Sequence, residues 1–189
     1  MFSSYYLTRS ACELRRKELN SRKLKVLCFH GYNSDKNVME YQMRHFRLVF
    51  GEVIDFEIID APFECQEPPV EEMKRFLPNR DAHFKSWLKF YGWGTEEEKK
   101  TKVPNCVYGL EEATQYIIDV LKGPKGPFDG VLGFSQGGII FRHFYNITQK
   151  IDRESYLVPG SQRQVFDMPR FFMTVASPVF TNMKILYKN

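Results

Sequence analysis

An apolar run and a glycine-flanked serine meet in the stretch FDGVLGFSQGG, residues 128–138. The pattern G-x-S-x-G, here Gly133 to Gly137 around Ser135, follows a predicted strand and opens a predicted helix. In that context the serine occupies a sharp, strained turn that lifts its Oγ above the edge of a parallel sheet. The flanking Gly133 and Gly137 let neighbouring backbone approach without a Cβ clash. The stretch predicts an α/β fold with Ser135 as a candidate nucleophile, although the pentapeptide alone also fits a glycine-rich turn with a capping serine.

Strands and helices alternate along the rest of the chain. A buried strand is predicted over residues 24–29, further strands in VIDFEIIDAP, PFDGVLGF and RFFMTVASP, and a short strand in MKILY. Helices are predicted in DKNVMEYQMRHFRLVFG, in GLEEATQYIIDVLKG and in GGIIFRHFYNITQKI. Alternation of this kind indicates parallel βαβ units, and therefore a parallel sheet with helices on both faces. The charge run TEEEKKTK is predicted to be a solvated surface segment.

The first predicted helix has clear boundary signals and an apolar face. Ser34 or Asp35 is a candidate for its N-cap, and Gly51 is predicted to end it. Six apolar residues lie at helical spacing and form one apolar face: Val38, Met39, Met43, Phe46, Val49 and Phe50. The matching face of the helix before the serine strand consists of Leu110, Ala113, Ile117, Val120 and Leu121.

Positive charge is concentrated at the start of the sequence. The net charge is +4 over 189 residues, but residues 1–25 hold seven Arg or Lys against Glu13 and Glu18, which leaves −1 for the other 164 residues. A nearly neutral body argues against nucleic acid as a partner. We predict a basic arm over residues 1–23 and a single domain over residues 24–189. The composition of this arm favours a polar, partly helical segment, and a mitochondrial targeting segment is the alternative interpretation.

The lengths of the apolar runs and the positions of the cysteines indicate the environment in which the protein works. No apolar run approaches the ~20 residues that span a bilayer, so no transmembrane segment is predicted. The four cysteines, at positions 12, 28, 65 and 106, form no CxxC pair, and no histidine lies at ligand spacing. This pattern favours reduced cysteines in an intracellular protein, most simply a cytoplasmic one. We expect no metal and no other cofactor.

The loop after the first strand is the second candidate element of a site. HGYNS, residues 30–34, follows the carboxyl end of a predicted parallel strand, where such sheets place their ligand sites. The backbone N–H groups of Tyr32 and of Gln136, at the start of a helix, are predicted to form an oxyanion hole. His30 precedes this loop on a different strand from Ser135. We therefore assign His30 a structural role, in which it holds the loop by hydrogen bonds.

Four motifs, VLCFHGY, IDAP, YGLEEA and PFDGVLGFSQGG, resemble the FSH-type serine hydrolases in order and spacing, and the resemblance covers roughly residues 24–178. It implies an α/β-hydrolase fold and carboxylesterase activity on small esters. It also implies that Ser135 is the nucleophile and that Tyr32 and Gln136 flank the oxyanion hole. The motif Tyr108–Glu112 opens the helix that leads to the nucleophile strand, and we interpret it as structural.

The aromatic segment HFKSWLKFYGWG, residues 83–94, also resembles that family, which has a Trp-containing region before the GLEE motif. Trp87 and Trp93 are the tryptophans concerned. Two interpretations stay open: the segment lines an acyl pocket, as apolar pockets often do, or it packs in the core beneath a long loop. The sequence therefore specifies no substrate beyond a small ester.

The partners of a catalytic serine are missing from the expected places. In this fold the triad follows the chain order Ser, acid, His. The last histidine, His143, lies eight residues past Ser135 on the same predicted helix, about 12 Å along its axis, whereas a base must come within ~3 Å. No Asp or Glu follows Asp167, which precedes the fourth strand and so belongs at the wrong edge of the sheet. His45 and His83 precede the serine and belong to no recognisable base motif.

We therefore expect an α/β-hydrolase-like sheet that lacks the last strands and the final helix. Such a sheet has an open edge, which a protein partner would cover. Three interpretations follow: an esterase whose sequence is truncated, a pseudoenzyme that serves as a structural or binding subunit of a larger assembly, and a site completed by another chain. The isolated chain is expected to be weak or inactive, because a serine hydroxyl without a base is a poor nucleophile at neutral pH.

Overall fold

A four-stranded sheet forms the centre of the computed structural model, which describes residues 22–68, 71, 84–90, 95–101, 106–154, 168–176 and 184–185. Its strands are β1 (Leu24–Phe29), β2 (Ile54–Ile59), β7 (Gly130–Phe134) and β8 (Phe171–Val175). Their spatial order is β2-β1-β7-β8, and every adjacent pair is parallel. All four carboxyl ends therefore lie at one edge of the sheet, and the predicted parallel α/β sheet is confirmed.

Short strands and four helices complete the described fold. β3 (Phe63–Glu64) pairs antiparallel with β4 (Lys85–Ser86), and β5 (Lys89–Phe90), β6 (Cys106–Tyr108) and β9 (Lys184–Ile185) form a three-stranded sheet. The helices are α1 (Lys36–Phe50), α2 (Glu96–Thr101), α3 (Leu110–Lys122) and α4 (Gln136–Glu154). The strand predicted in MKILY is present as β9. The short strands β3 to β6 were not predicted, and the exposed charge run forms α2.

No helix in the described part of the chain has the length and apolar character needed to cross a membrane.

The core divides into two clusters because side chains alternate along β1. Leu27 and Phe29 face α3 and α4, where Ile117 and Phe141 belong to the same buried cluster. Val26 and Cys28 face the other way, into a smaller cluster that includes Met39 and Met43 of α1. Helices therefore cover both faces of the sheet, as predicted.

The ends of α1 follow the predicted signals. The carboxylate of Asp35 accepts a hydrogen bond from the N–H of Val38 at 2.8 Å, which makes Asp35 the N-cap. At the other end, the N–H of Gly51 donates to the carbonyl oxygen of Arg47 at 2.9 Å. Both boundaries were predictable because capping depends only on residues within one turn of the helix.

The apolar face of α1 is only half buried. Its first half is buried, with Val38, Met39 and Met43 in the core. The second half is exposed: Phe46 by 46%, Val49 by 67% and Phe50 by 42%. The reason lies in the sheet, since α1 packs mainly on β2, which is the outermost strand of the described sheet. Helical spacing identifies a face but does not say how far the sheet beneath it extends.

An ion pair lies at the amino edge of the sheet, where the strands begin. Asp129, just before β7, is buried, and its carboxylate accepts two hydrogen bonds from the guanidinium of Arg22 at 2.6 and 2.7 Å. It accepts a third from the N–H of Lys25 at 2.9 Å, and its own carbonyl oxygen accepts from the N–H of Arg170. The hydrogen bonds from Arg22 lower the pKa of the Asp129 carboxyl. This residue joins β1, β7 and the start of β8.

Candidate active site

Ser135 lies on the sharp turn between β7 and α4. Its backbone φ is +50°, a left-handed conformation that non-glycine residues rarely adopt. The Ser135 N–H donates to the carbonyl oxygen of Val175 at 2.9 Å, while the Ser135 carbonyl oxygen accepts from Gly138 and Ile139 in the first turn of α4. Strain of this kind persists only where the surroundings hold the residue, and it concentrates at functional sites. The turn has the strand–serine–helix geometry of a nucleophile elbow.

Gly133 and Gly137 permit two close backbone approaches around this turn. A Cβ at Gly133 would overlap the Cα of Gly138, and a Cβ at Gly137 would overlap the carbonyl oxygen of Phe29. The second Cβ would also lie 2.7 Å from the carbonyl oxygen of His30. These atoms all belong to the backbone, so they cannot move aside as a flexible side chain would. The start of α4 is thereby packed against the carboxyl end of β1.

The loop at residues 30–34 passes directly beside the nucleophile turn. A Cβ built on Gly31 would lie 3.4 Å from the Cβ of Ser135 and 3.1 Å from the ring of Phe134. Tyr32 is the next residue, and Gln136 is the residue immediately after Ser135. The structure therefore brings together the two segments that carry the predicted oxyanion donors. Their catalytic roles, like that of Ser135, remain predictions.

The side chain of Tyr32 ties this loop to the segment after β3. Its hydroxyl donates a hydrogen bond to the carboxylate of Glu67, and its ring meets that of Phe90 edge to face at 5.1 Å. Burial and the hydrogen bond to Glu67 raise the pKa of the Tyr32 hydroxyl, so it stays a protonated donor. On the same loop, the amide of Asn33 donates to the carbonyl oxygen of Pro68 at 2.9 Å.

His30 is completely buried, and both of its ring nitrogens are engaged. Its Nε2 accepts a hydrogen bond from the N–H of Ala61 at 3.0 Å, so Nδ1 carries the proton and donates to the carbonyl oxygen of Gly31 at 2.7 Å. Burial lowers the pKa of His30, which keeps the ring neutral. With neither nitrogen available to Ser135, the ring holds the loop, as the predicted structural role requires.

The other titratable candidates are scattered. His45 is exposed on α1, and His143 is half-buried on α4, within the helix that Ser135 precedes. His83, Trp93 and Asp167 lie outside the described residues. Burial raises the pKa of the free thiols of Cys28, to about 12, and of Cys65, so neither thiol is ionised at neutral pH. Of the nucleophile types considered, Ser135 is the residue that the local geometry favours.

A buried polar network connects the nucleophile turn to the segment at residues 84–90. The side-chain oxygen Oε1 of Gln136 accepts from the backbone N–H of Trp87 at 2.8 Å and lies 3.1 Å from the hydroxyl of Ser86. The indole Nε1–H of Trp87 donates to the carbonyl oxygen of His30 at 2.9 Å. Gln136, Ser86, Trp87 and His30 are all at most 4% exposed. Sequence reasoning missed this network, because no local pattern pairs a glutamine with a backbone some fifty residues earlier.

The aromatic segment is therefore largely core. Phe84, Trp87 and Leu88 are buried, and Trp87 packs edge to face on Phe29 at 4.7 Å. Phe90 is only half-buried and lies against Tyr32. Of the two interpretations left open by the sequence, core packing holds for Trp87, while Phe90 is the described member of the segment that lies next to the loop beside Ser135.

Strained backbone and buried polar side chains are concentrated at the carboxyl edge of the sheet, where the strands end. Three non-glycine residues in the described part of the chain have positive φ, and each follows the end of a sheet strand: Asn33, Ser135 and Ala176. Of the seven buried polar or charged residues in the described ranges, six also lie here: His30, Asn33, Ser34, Asp35, Ser86 and Gln136. Within the described residues, two buried oxygens have no hydrogen-bond partner, and both belong to the loop at residues 30–34: Asn33 Oδ1 and Ser34 Oγ. Such groups are rare in ordinary cores, so this edge has the character of a functional site.

A strained serine between strand and helix, with a loop of the neighbouring parallel strand against it, defines the class of α/β serine hydrolases. The comparison of sequences agrees with this class. The family described as "Serine hydrolase (FSH1)" matches residues 20–189, so the chain belongs to the FSH1 serine hydrolase family.

Several relatives carry the name esterase. Esterase GA18864 of Drosophila pseudoobscura pseudoobscura is 30% identical over 122 residues, which cover 62% of this chain and 37% of that protein. Esterase CG5412 of Drosophila melanogaster is 28% identical over 62% of this chain and 39% of that protein. Esterase OVCA2 of Danio rerio is 26% identical over 84% of this chain and 72% of that protein. The chain thus spans well under half the length of the first two.

Proposed function

We propose that this chain carries the nucleophile half of a carboxylesterase-type serine hydrolase that acts on a small ester. The Ser135 Oγ attacks the ester carbonyl, the backbone N–H groups of Tyr32 and Gln136 stabilise the oxyanion, and the alcohol leaves to give an acyl-serine. Water then hydrolyses the acyl-serine and releases the acid. The observation that carries the proposal is the φ of +50° at Ser135, in a turn packed against the loop of Gly31.

Removal of the serine proton requires a base, and we assign none among the described residues. His30 is fixed by its two hydrogen bonds, and His143 lies about 12 Å along the axis of α4 from the turn. We therefore propose that the isolated 189-residue chain is a weak catalyst. Loss of the serine–histidine function costs on the order of 10⁶ in kcat, while an oxyanion hole and binding alone retain roughly 10³–10⁴ over water.

A second candidate function is a structural or binding subunit of a larger assembly. The observation that favours it is the exposed apolar surface of the outer strand β8, where Met173 is 42% and Val175 is 43% exposed on the same face of the sheet. Among the described strands, β8 pairs with β7 only, so its other side is open to a protein partner. A site completed by another chain is the intermediate case. We also propose that the protein is intracellular, most simply cytoplasmic, and that it consists of a basic arm over residues 1–23 and a single domain over residues 24–189.

Labelling of the purified chain with a fluorophosphonate, with Ser135→Ala as the control, tests these functions. Free imidazole is included in half of the reactions, because it can supply the missing base. Ser135-dependent labelling that imidazole accelerates supports the nucleophile half of an esterase. Fast labelling without imidazole would rule out the pseudoenzyme, and no labelling of a protein that circular dichroism shows to be folded would rule out a competent elbow.

Co-purification then tests the second function. A stable partner that protects the β8 edge is expected if the chain is a subunit. Met173→Lys should abolish that association, since it places a charge on the apolar surface of β8. Leu48→Lys, on the exposed surface of α1, is the matched control and should leave the association unchanged.

A further inference from the structure

The side chain of Gln136, and not only its backbone, belongs to the machinery that positions the predicted oxyanion donors. We infer that Gln136 is a positioning residue, which holds the loop at residues 30–34 in register with the nucleophile turn through Trp87. This inference rests on the proposed function for its catalytic consequence. Its structural part stands on hydrogen bonds that are independent of any reaction.

The first link is the bond between Gln136 and the segment at residues 84–90. An N–H group can only donate, so the atom of Gln136 that faces the Trp87 N–H at 2.8 Å is the amide oxygen. The Ser86 hydroxyl lies 3.1 Å from the same oxygen and 2.6 Å from the carbonyl oxygen of Leu88, so its hydrogen is shared between them. Because Gln136 is the first residue of α4 and follows Ser135, this bond ties the segment directly to the nucleophile turn.

The second link runs from Trp87 to the loop. Its indole N–H donates to the carbonyl oxygen of His30 at 2.9 Å, and that carbonyl belongs to the peptide unit whose nitrogen is the N–H of Gly31, one residue before Tyr32. The ring of Trp87 cannot shift to follow a displaced partner, because it is fully buried and packs on Phe29 at 4.7 Å. The position of the His30 carbonyl is thus set by Trp87, whose backbone is set by Gln136.

The third link holds the remaining side of the loop. The His30 ring donates to the carbonyl oxygen of Gly31 and accepts from the N–H of Ala61, after β2. The chain of bonds therefore joins the carboxyl ends of β7, β1 and β2. Other contacts hold the far end of the loop: Tyr32 and Asn33 donate hydrogen bonds to Glu67 and Pro68, and Ser34 shares two backbone hydrogen bonds with Lys85, which belongs to the same segment as Trp87. An oxyanion hole needs its donors fixed before the reaction, and this network supplies such fixing between two separate strands.

Two variants break the network at different points. Gln136→Met keeps the side-chain length and removes the acceptor for Trp87. Trp87→Phe keeps an aromatic ring on Phe29 and removes the indole donor to His30 together with part of the buried ring volume. The matched control is Gln115→Met on α3, where the exposed glutamine amide donates to the carboxylate of Asp119 at 2.8 Å. Ser86→Ala is the milder variant if Gln136→Met does not fold.

Amide hydrogen exchange, read by mass spectrometry on peptides, measures the structural part without any need for catalysis. In both variants we expect exchange at residues 30–34 to rise by at least tenfold, with β2 and α1 unchanged. If the side chain merely stabilised the whole domain, its loss would raise amide exchange in every element alike. Unchanged exchange at residues 30–34 in both variants, or a uniform rise throughout, would overturn the inference.

The rate of fluorophosphonate labelling of Ser135, with imidazole present and below the melting temperature, measures the catalytic part. We expect a fall of at least tenfold for Gln136→Met, a smaller fall for Trp87→Phe, and no change for Gln115→Met. Partial recovery in Gln136→Glu, which retains an acceptor oxygen, supports the role. Unchanged labelling rates beside a loosened loop would overturn it. If the wild-type chain is not labelled at all, the proposed function fails, while a selective rise in loop exchange still supports the coupling.

Discussion

The two edges of the central sheet are built on different principles. At the amino edge, one buried carboxylate, Asp129, has its charge balanced by Arg22 and its oxygens occupied by three hydrogen bonds. At the carboxyl edge, neutral polar side chains form a network, two buried oxygens lack described partners, and the backbone at Ser135 is strained. The same parallel sheet carries both. The comparison indicates that the amino edge stabilises the fold, whereas the carboxyl edge holds strained groups in place at the expense of stability.

The largest expected effect is on stability, when a glycine at each edge of the sheet is replaced by alanine. In Gly137→Ala the new methyl group meets backbone oxygens of Phe29 and His30, and we expect the free energy of unfolding to fall by more than about 3 kcal/mol. In Gly130→Ala, near the amino edge, the methyl group meets the ring of Phe171, which can rotate aside, so we expect a clearly smaller loss. Urea unfolding of both variants measures the difference. Equal losses would show that the carboxyl edge is no more constrained than the amino edge.

The next effect concerns the ion pair of the amino edge. Asp129→Asn removes charge-assisted hydrogen bonds to Arg22 and should cost about 1.5–3 kcal/mol at neutral pH. The Arg22 hydrogen bonds lower the pKa of Asp129 below its unfolded value of about 3.9, so the stabilisation is fully present above that pH. It is lost as the pH falls through the folded-state pKa.

The gap in stability between wild type and Asp129→Asn should therefore shrink below about pH 4. Urea unfolding at a series of pH values measures this gap. Glu96→Gln, which removes an exposed carboxylate beside Lys99 on α2, is the control and should change stability little. A gap that stays constant down to pH 2 would contradict the assigned ion pair.

At the carboxyl edge, the neutral His30 predicts a different pH dependence. Burial lowers the pKa of His30 in the folded state, so the unfolded chain binds the additional proton as the pH drops below about 6.5. Stability should fall with decreasing pH in that range, by up to about 1.4 kcal/mol per pH unit. His30→Gln should remove this slope, while His45→Gln, at an exposed position on α1, should retain it. Thermal or urea unfolding between pH 7 and pH 5 measures both slopes.

The smallest expected effect tests the strain at the nucleophile turn. Glycine adopts a φ of +50° without steric cost, so Ser135→Gly should be more stable than Ser135→Ala by up to about 1 kcal/mol. On α3, where the backbone is helical, Gln115→Gly should instead lose about 1 kcal/mol relative to Gln115→Ala. Opposite signs at the two positions would locate the strain at Ser135, and a loss at both positions would argue against it.

Local features of this fold were predictable from the sequence, and distant ones were not. The four strands of the sheet, the Asp35 cap and the turn at Ser135 follow from patterns within a few residues, which is the range over which capping and alternation act. The exposure of Phe46, Val49 and Phe50 was not predictable, because it depends on where the sheet ends. The link from Gln136 to Trp87 joins positions 49 residues apart, and no periodicity encodes it.

The hydrogen bond from the N–H of Ser135 to Val175 also has a consequence for the order in which the site can assemble during synthesis of the chain. Forty residues separate the donor from the acceptor, so the ribosome has completed β7 and the whole of α4 before the strand that holds the serine turn exists. During synthesis the strand β7 can pair with β1 while the turn beyond it still lacks its anchor. The nascent chain therefore acquires its scaffold before it acquires the conformation of Ser135.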